Sequence, residues 1–97
     1  MTSKQRAYLK GLASNLDPIV HVGKASVSPE VINSIIEALN ARELIKIGVL
    51  KNCADEPKDI AEIISERTHS TIVHVIGKKI VLYKPDKKNP KIKLPVD

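Results

Sequence analysis

Hydrophobic and polar residues follow two different periods along this chain, and the switches between them mark out three helices and four strands. Ser3 to Ala13 reads as a helix, with Ala7, Leu9 and Leu12 turned inward, Lys4, Arg6 and Lys10 along the outside, and Thr2 or Ser3 as its cap. Asn15 to Pro18 stops it, because the residue before a proline is pushed out of the helical region, and Ile19 to Val22 follow as a short run of β-formers. After Gly23, the run Ser28-Pro29-Glu30 starts a second helix: a hydroxyl to cap, a proline where no N–H is needed, and a carboxylate in the first turn. From Pro29 to about Ala41, Ile32, Ile35, Ile36 and Leu39 keep i, i+3, i+4, i+7 spacing while Asn33, Glu37 and Asn40 fall away from them.

The period then changes to two. Across Glu43 to Leu50, Ile45, Ile47 and Val49 share one face of a strand and Leu44, Lys46 and Gly48 the other, so one side of the sheet is more polar. Asn52 to Glu56 is a loop, and Pro57 opens a third helix with Ile60, Ile63 and Ile64 inward and Asp59, Glu62 and Glu66 outward. Thr71 to Ile76 and Lys79 to Lys84 are two β-rich runs separated by Gly77-Lys78, and a two-residue loop with glycine first suits a type II′ hairpin.

The order α-β-α-β-α-β-β predicts a two-layer α/β domain with a four-stranded mixed sheet, one face of which is relatively free. Ile35, Ile36, Leu39, Ile45, Ile47, Ile63 and Val81 are the expected core. Ninety-seven residues make a single domain, 1–97, with no room for a second core. Residues 86–97 form a basic tail whose prolines discourage helix, expected to add electrostatic attraction rather than fold.

Charge sharpens this picture. The formal net charge of +5 is distributed as +3 over residues 1–28, zero over 29–53, −3 over 54–77 and +5 over 78–97, so a folded chain can present one positive face to a polyanion. Tyr8 and Tyr83 are the only aromatics, which limits base stacking. Cys53 stands alone, cannot form an internal disulfide, and is expected as a small buried hydrophobe. The N-terminus reads as no signal segment and no apolar run approaches the roughly 20 residues that cross a bilayer, so a cytoplasmic location is expected.

The corner from His21 to Pro29 holds the most suggestive chemistry. Gly23 lets the backbone approach a partner closely, and Lys24 offers a mobile cation to a phosphate, a combination that suggests nucleic acid. The spacing excludes a Walker phosphate loop, which needs an upstream glycine and a Ser or Thr after the lysine. His21, Cys53, His69, His74 and the scattered carboxylates have no spacing diagnostic of a nucleophile and base or of a zinc site, so no enzymatic activity, metal or cofactor is expected.

With the elements placed, four blocks in order resemble the YhbY family, the stand-alone bacterial form of the chloroplast RNA splicing and ribosome maturation (CRM) domain. They are Ser3-Lys4-Gln5-Arg6-Ala7-Tyr8-Leu9, Val22-Gly23-Lys24-Ala25, Glu43-Leu44-Ile45-Lys46-Ile47, and Ile76 to Lys84. The resemblance implies a fold similar to the C-terminal domain of translation initiation factor 3 and a non-enzymatic RNA-binding role on precursors of the large ribosomal subunit. It also implies an RNA-contacting Gly-x-x-Gly loop, which falls on Gly23, Lys24, Ala25 and Ser26, with serine where the second glycine is usual. Such loops clamp nucleic-acid backbone in KH domains. Lys4, Arg6 and Lys10 of the first helix join the candidate RNA-binding residues, with Lys46, Lys78, Lys79 and Lys84 as further cations. The expected partner is ribosomal RNA or a pre-ribosomal particle, bound by a monomer without a membrane. The alternative is a module that docks on a protein of a ribonucleoprotein complex without touching RNA.

Overall fold

The computed structural model describes residues 1–96, so the last residue of the 86–97 tail lies outside the described residues. The chain runs α1 (Ser3–Ala13), β1 (Val20–Val22), α2 (Pro29–Arg42), β2 (Leu44–Val49), α3 (Pro57–Thr68), β3 (Thr71–Ile76) and β4 (Lys79–Tyr83). The helix starts follow local chemistry. Thr2 and Gln5 form a reciprocal capping box on α1, each side chain bonded to the other's backbone N–H at 3.1 Å. Ser28 caps α2 by accepting from Val31 N–H at 3.2 Å, with Pro29 in the first turn.

The sheet order is β1-β2-β4-β3. β1 lies parallel to β2, with Val22 beside Val49, while β4 is antiparallel to both β2 and β3. At the β3–β4 hairpin Gly77 takes φ +55° and Lys78 does not enter the positive region, as a type II′ turn requires.

Helices α2 and α3 cover one face of the sheet. Their cluster is built from Ile35, Leu39, Ile60 and Ile64 against Val22, Ile45, Ile47, Ile80 and Leu82, with Cys53 buried beside them. Each fully buried aliphatic side chain here is worth roughly 1.5 to 3 kcal/mol. Ile36 and Ile63, expected inside, are 37% and 40% exposed. The sheet-facing stripe is Ile35/Leu39 on α2 and Ile60/Ala61/Ile64 on α3, and Ile36 and Ile63 are turned to the outer flanks of those stripes.

The opposite face is not left free. α1 packs across β3 and β2 there, burying Leu9 and Ala13 against Leu44, Val73, Val81 and Tyr83. Ala7 and Leu12, expected inward, are exposed instead. The buried stripe runs through Arg6, Leu9 and Ala13 at i, i+3, i+7, so a basic residue occupies a position the pattern assigned to solvent.

The C-terminal segment, expected to add electrostatic attraction rather than fold, belongs to the fold. Ile92 and Leu94 pack on the α1-side cluster. Glu43, fully buried with φ +64° between α2 and β2, accepts N–H bonds from Asp86 (2.7 Å), Lys91 (2.7 Å) and Ile92 (3.0 Å). A buried carboxylate is tolerated only when so satisfied. Lys91 Nζ donates to Ala41 O at the end of α2, and Gln5 Nε2 to Pro95 O. The alternation Lys91-Ile92-Lys93-Leu94, with the lysines out and the aliphatics in, carried the signal; the surrounding prolines and charge masked it.

Candidate nucleic-acid interface

Parallel pairing of β1 and β2 brings the loops that follow them to one end of the sheet, and the hairpin turn joins them there. Leu50 N–H donates to Val22 O and Val49 N–H to Lys78 O, both at 2.8 Å. The Gly23–Ser26 loop, the Lys51-Asn52 loop and the Lys78-Lys79 turn therefore share this end, and Lys24, Lys51, Lys78 and Lys79 are all exposed on it.

The loop is a tight turn. Ser26 N–H donates to Gly23 O at 2.9 Å, placing Lys24 and exposed Ala25 at the tip. A Cβ on Gly23 would lie 3.4 Å from both Asn52 Oδ1 and Leu50 Cδ1, so the loop rests closely on the segment after β2. Ser26 has φ +55°, the left-handed conformation that glycine adopts without cost, and its hydroxyl donates to the Asp55 carboxylate. The α2 N-terminus offers little to an anion: Ser28 already takes Val31 N–H, Pro29 has no N–H, and Glu30 sets a carboxylate in the first turn.

The remaining candidate cations divide into two groups. Lys10 and Lys46 border a cleft between α1 and the sheet, on the face that continues to Lys79. Arg6 is half-buried and donates to Ile72 O and Val73 O (3.0 Å), at the register shift in β3. Lys84 is half-buried and donates to Thr68 O at 3.0 Å, closing the end of α3, and Lys4 reaches Val96 O at 3.4 Å at the far end of α1. Arg6 and Lys84 therefore spend their donors on the fold, and neither they nor Lys4 stands with the loop.

The electrostatic division is sharp. α1 and the four strands contain no aspartate or glutamate, whereas α2 carries Glu30 and Glu37 and α3 carries Asp59, Glu62 and Glu66. The elements of the α1 side are thus basic and without carboxylates, with Asp17 in the connection after α1, while the α2–α3 layer is mixed. Sequence reasoning did not place Lys51, His21, His74 or Asp55 at this interface. The first follows from the parallel β1–β2 pair; His21 shares the α1 face with Gly48, its strand partner, over which its ring lies (Cδ2 is 3.0 Å from where a Cβ would sit), and His74 reaches that face through the register shift in β3. Among the described residues no three His, Cys, Asp or Glu side chains gather in a way that would hold a metal ion, and no helix is long and apolar enough to cross a membrane.

Known proteins share this architecture. The chain is 46% identical over 95 residues to the Bacillus subtilis protein named Probable RNA-binding protein YqeI, covering 98% of this chain and 99% of that one. It is 37% identical to a Haemophilus influenzae protein named RNA-binding protein, covering 98% and 95%. The solution structure of the hypothetical protein SAV1595 from Staphylococcus aureus superposes with a TM-score of 0.82 at 46% identity, over 98% of this chain and 99% of that one. Residues 1–84, which hold the loop, the hairpin and α1, match the CRS1 / YhbY (CRM) domain, and the chain belongs to that family.

Proposed function

We propose that this protein is a non-enzymatic RNA-binding protein that engages structured RNA, and specifically ribosomal RNA in precursors of the large subunit, as a cytoplasmic monomer assisting ribosome assembly. The observation that carries the reading is the absence of acidic residues from α1 and the four strands, a basic layer that ends in a lysine-bearing turn at Lys24 and a second at Lys78-Lys79. Phosphates supply the affinity in such a site and lysines neutralise them, so binding falls steeply with salt. The names of the Bacillus and Haemophilus relatives support RNA as the ligand, and the family resemblance points to the large-subunit precursor.

The test is a salt titration on large-subunit precursor RNA. Lys24→Ala should leave the circular dichroism spectrum intact, weaken binding, and reduce the slope of log K against log salt by very roughly 0.7 to 0.9 for one lost phosphate contact. Unchanged affinity and slope would make the corner a structural turn. Association with the particle that survives nuclease trimming of the candidate RNA would favour docking on protein instead.

A further inference from the structure

The cleft between α1 and the sheet has a composition that phosphate binding alone does not call for. It encloses about 250 Å³ and is lined by Lys10, Ala13, Ser14, Lys46, His74, Ile76 and Val81. Its floor is aliphatic, and Ile76 is 60% exposed, a large β-branched side chain left uncovered beside two ammonium groups. Three other clefts on the molecule, beside Pro85, Asp17 and Glu30, each include a carboxylate in the lining; this one has none. The register of β3 against β4 slips between Ile72 and His74, so that Val73 is buried under α1 while His74, opposite Val81, lines the cleft. Bulges of this kind re-aim a side chain.

We propose that this cleft receives one unpaired nucleotide of the bound RNA. Its base lies on Ala13, Val81 and Ile76 against the His74 imidazole, and Lys10 and Lys46 meet the adjoining phosphates. The inference rests on the RNA-binding reading and names which part of an RNA the protein selects. A paired base has both faces stacked inside the helix and cannot reach a concave aliphatic floor, whereas a loop or bulge nucleotide can be splayed into it. With Tyr8 and Tyr83 outside its lining, an aliphatic floor and one imidazole take the place of a stacking platform. The Lys24 turn, at the end of the same sheet, then grips the backbone of the neighbouring stem.

The full chain is titrated with a fluorescent stem-loop, with a blunt duplex of equal phosphate count, and with the stem-loop carrying abasic sites in its loop. Wild type should bind the stem-loop at least about fivefold more tightly than the duplex or the abasic form, near the lower end of what one base stacked on an aromatic side chain contributes. Ile76→Ala and His74→Ala, changes at an exposed and a half-buried position, should each remove most of that preference while leaving duplex affinity and the salt slope unchanged. Lys24→Ala should weaken all three RNAs together. Equal affinity of wild type for the three RNAs, with Lys24 still contributing, would overturn the cleft but not the RNA-binding reading. A preference that persists in both folded cleft variants would also overturn it. Absence of salt-sensitive binding to any of the RNAs would overturn both.

Discussion

The Ser26 hydroxyl donates a hydrogen bond to the Asp55 carboxylate, tying the β1–α2 turn to the loop that follows β2. The same serine holds a left-handed φ of +55°, a conformation that costs a non-glycine residue about 1 to 3 kcal/mol. A strained residue and a bridging bond thus sit together at the base of the candidate phosphate-gripping turn. Ser26→Gly relieves the strain and loses the bond, so its stability should stay within about 1 kcal/mol of wild type. RNA affinity should be equal or higher, because the turn is freer to approach. Asp55→Asn keeps an acceptor for Ser26 but removes a negative charge from the base of the Lys24 turn, and should raise affinity roughly twofold at low salt, fading as salt screens it. Paired titrations at two ionic strengths check both, and weaker binding by a folded Asp55→Asn would show that the carboxylate contributes to the grip.

Glu43 makes the C-terminal segment part of the fold, and its three N–H bonds predict strong coupling. Ending the chain at Pro85 should cost about 3 to 5 kcal/mol, since it strands a buried carboxylate and strips Ile92 and Leu94 from the α1-side core. Glu43→Gln in the full chain should cost about 2 to 4 kcal/mol, because the new amide N–H₂ faces backbone donors. In the shortened chain the same substitution should be much milder or favourable, as it removes the stranded charge. Urea unfolding of the four proteins gives the coupling; strictly additive costs would refute it.

Tyr83 contributes to the loss of stability at alkaline pH. Burial first, and the neighbouring Glu43 carboxylate second, push its phenol pKa above the ordinary value near 10. In the unfolded chain the phenol ionises first, so the unfolded state is favoured as pH climbs above about 10, and the stability present below that pH is lost toward the raised folded value. Tyr83→Phe should flatten this part of the profile relative to wild type. Urea midpoints compared from about pH 8.5 to 11 test the point, with the lysine titrations common to both proteins.

A buried isoleucine of α2 and a flanking one of α3 separate burial from pattern. Ile35→Ala should cost about 2 to 5 kcal/mol, as a fully buried residue between α2 and the sheet. Ile63→Ala, at 40% exposure on α3, should cost under about 1 kcal/mol. Equal costs in thermal or urea unfolding would mean that the flank of α3 is covered in solution.

What the amino-acid order determined by itself was local or periodic. The capping of α1 and α2, the type II′ hairpin at Gly77, the two faces of β2 and the element order all follow from interactions between residues a few positions apart, and these are legible without knowing the rest of the chain. The Gly23-Lys24 corner was legible for the same reason. Tertiary structure alone decided which of several helical faces is buried, and so turned Ile36, Ile63 and Leu12 outward and Arg6 inward, because a stripe's exact position depends on the partner it meets. It likewise decided that Arg6 and Lys84 bond distant carbonyls, that Lys51 joins the loop end, and that Asp55 braces Ser26. The C-terminal segment is held by a carboxylate more than forty positions earlier in the chain, and no local period can announce a contact whose partner is set only when the sheet closes.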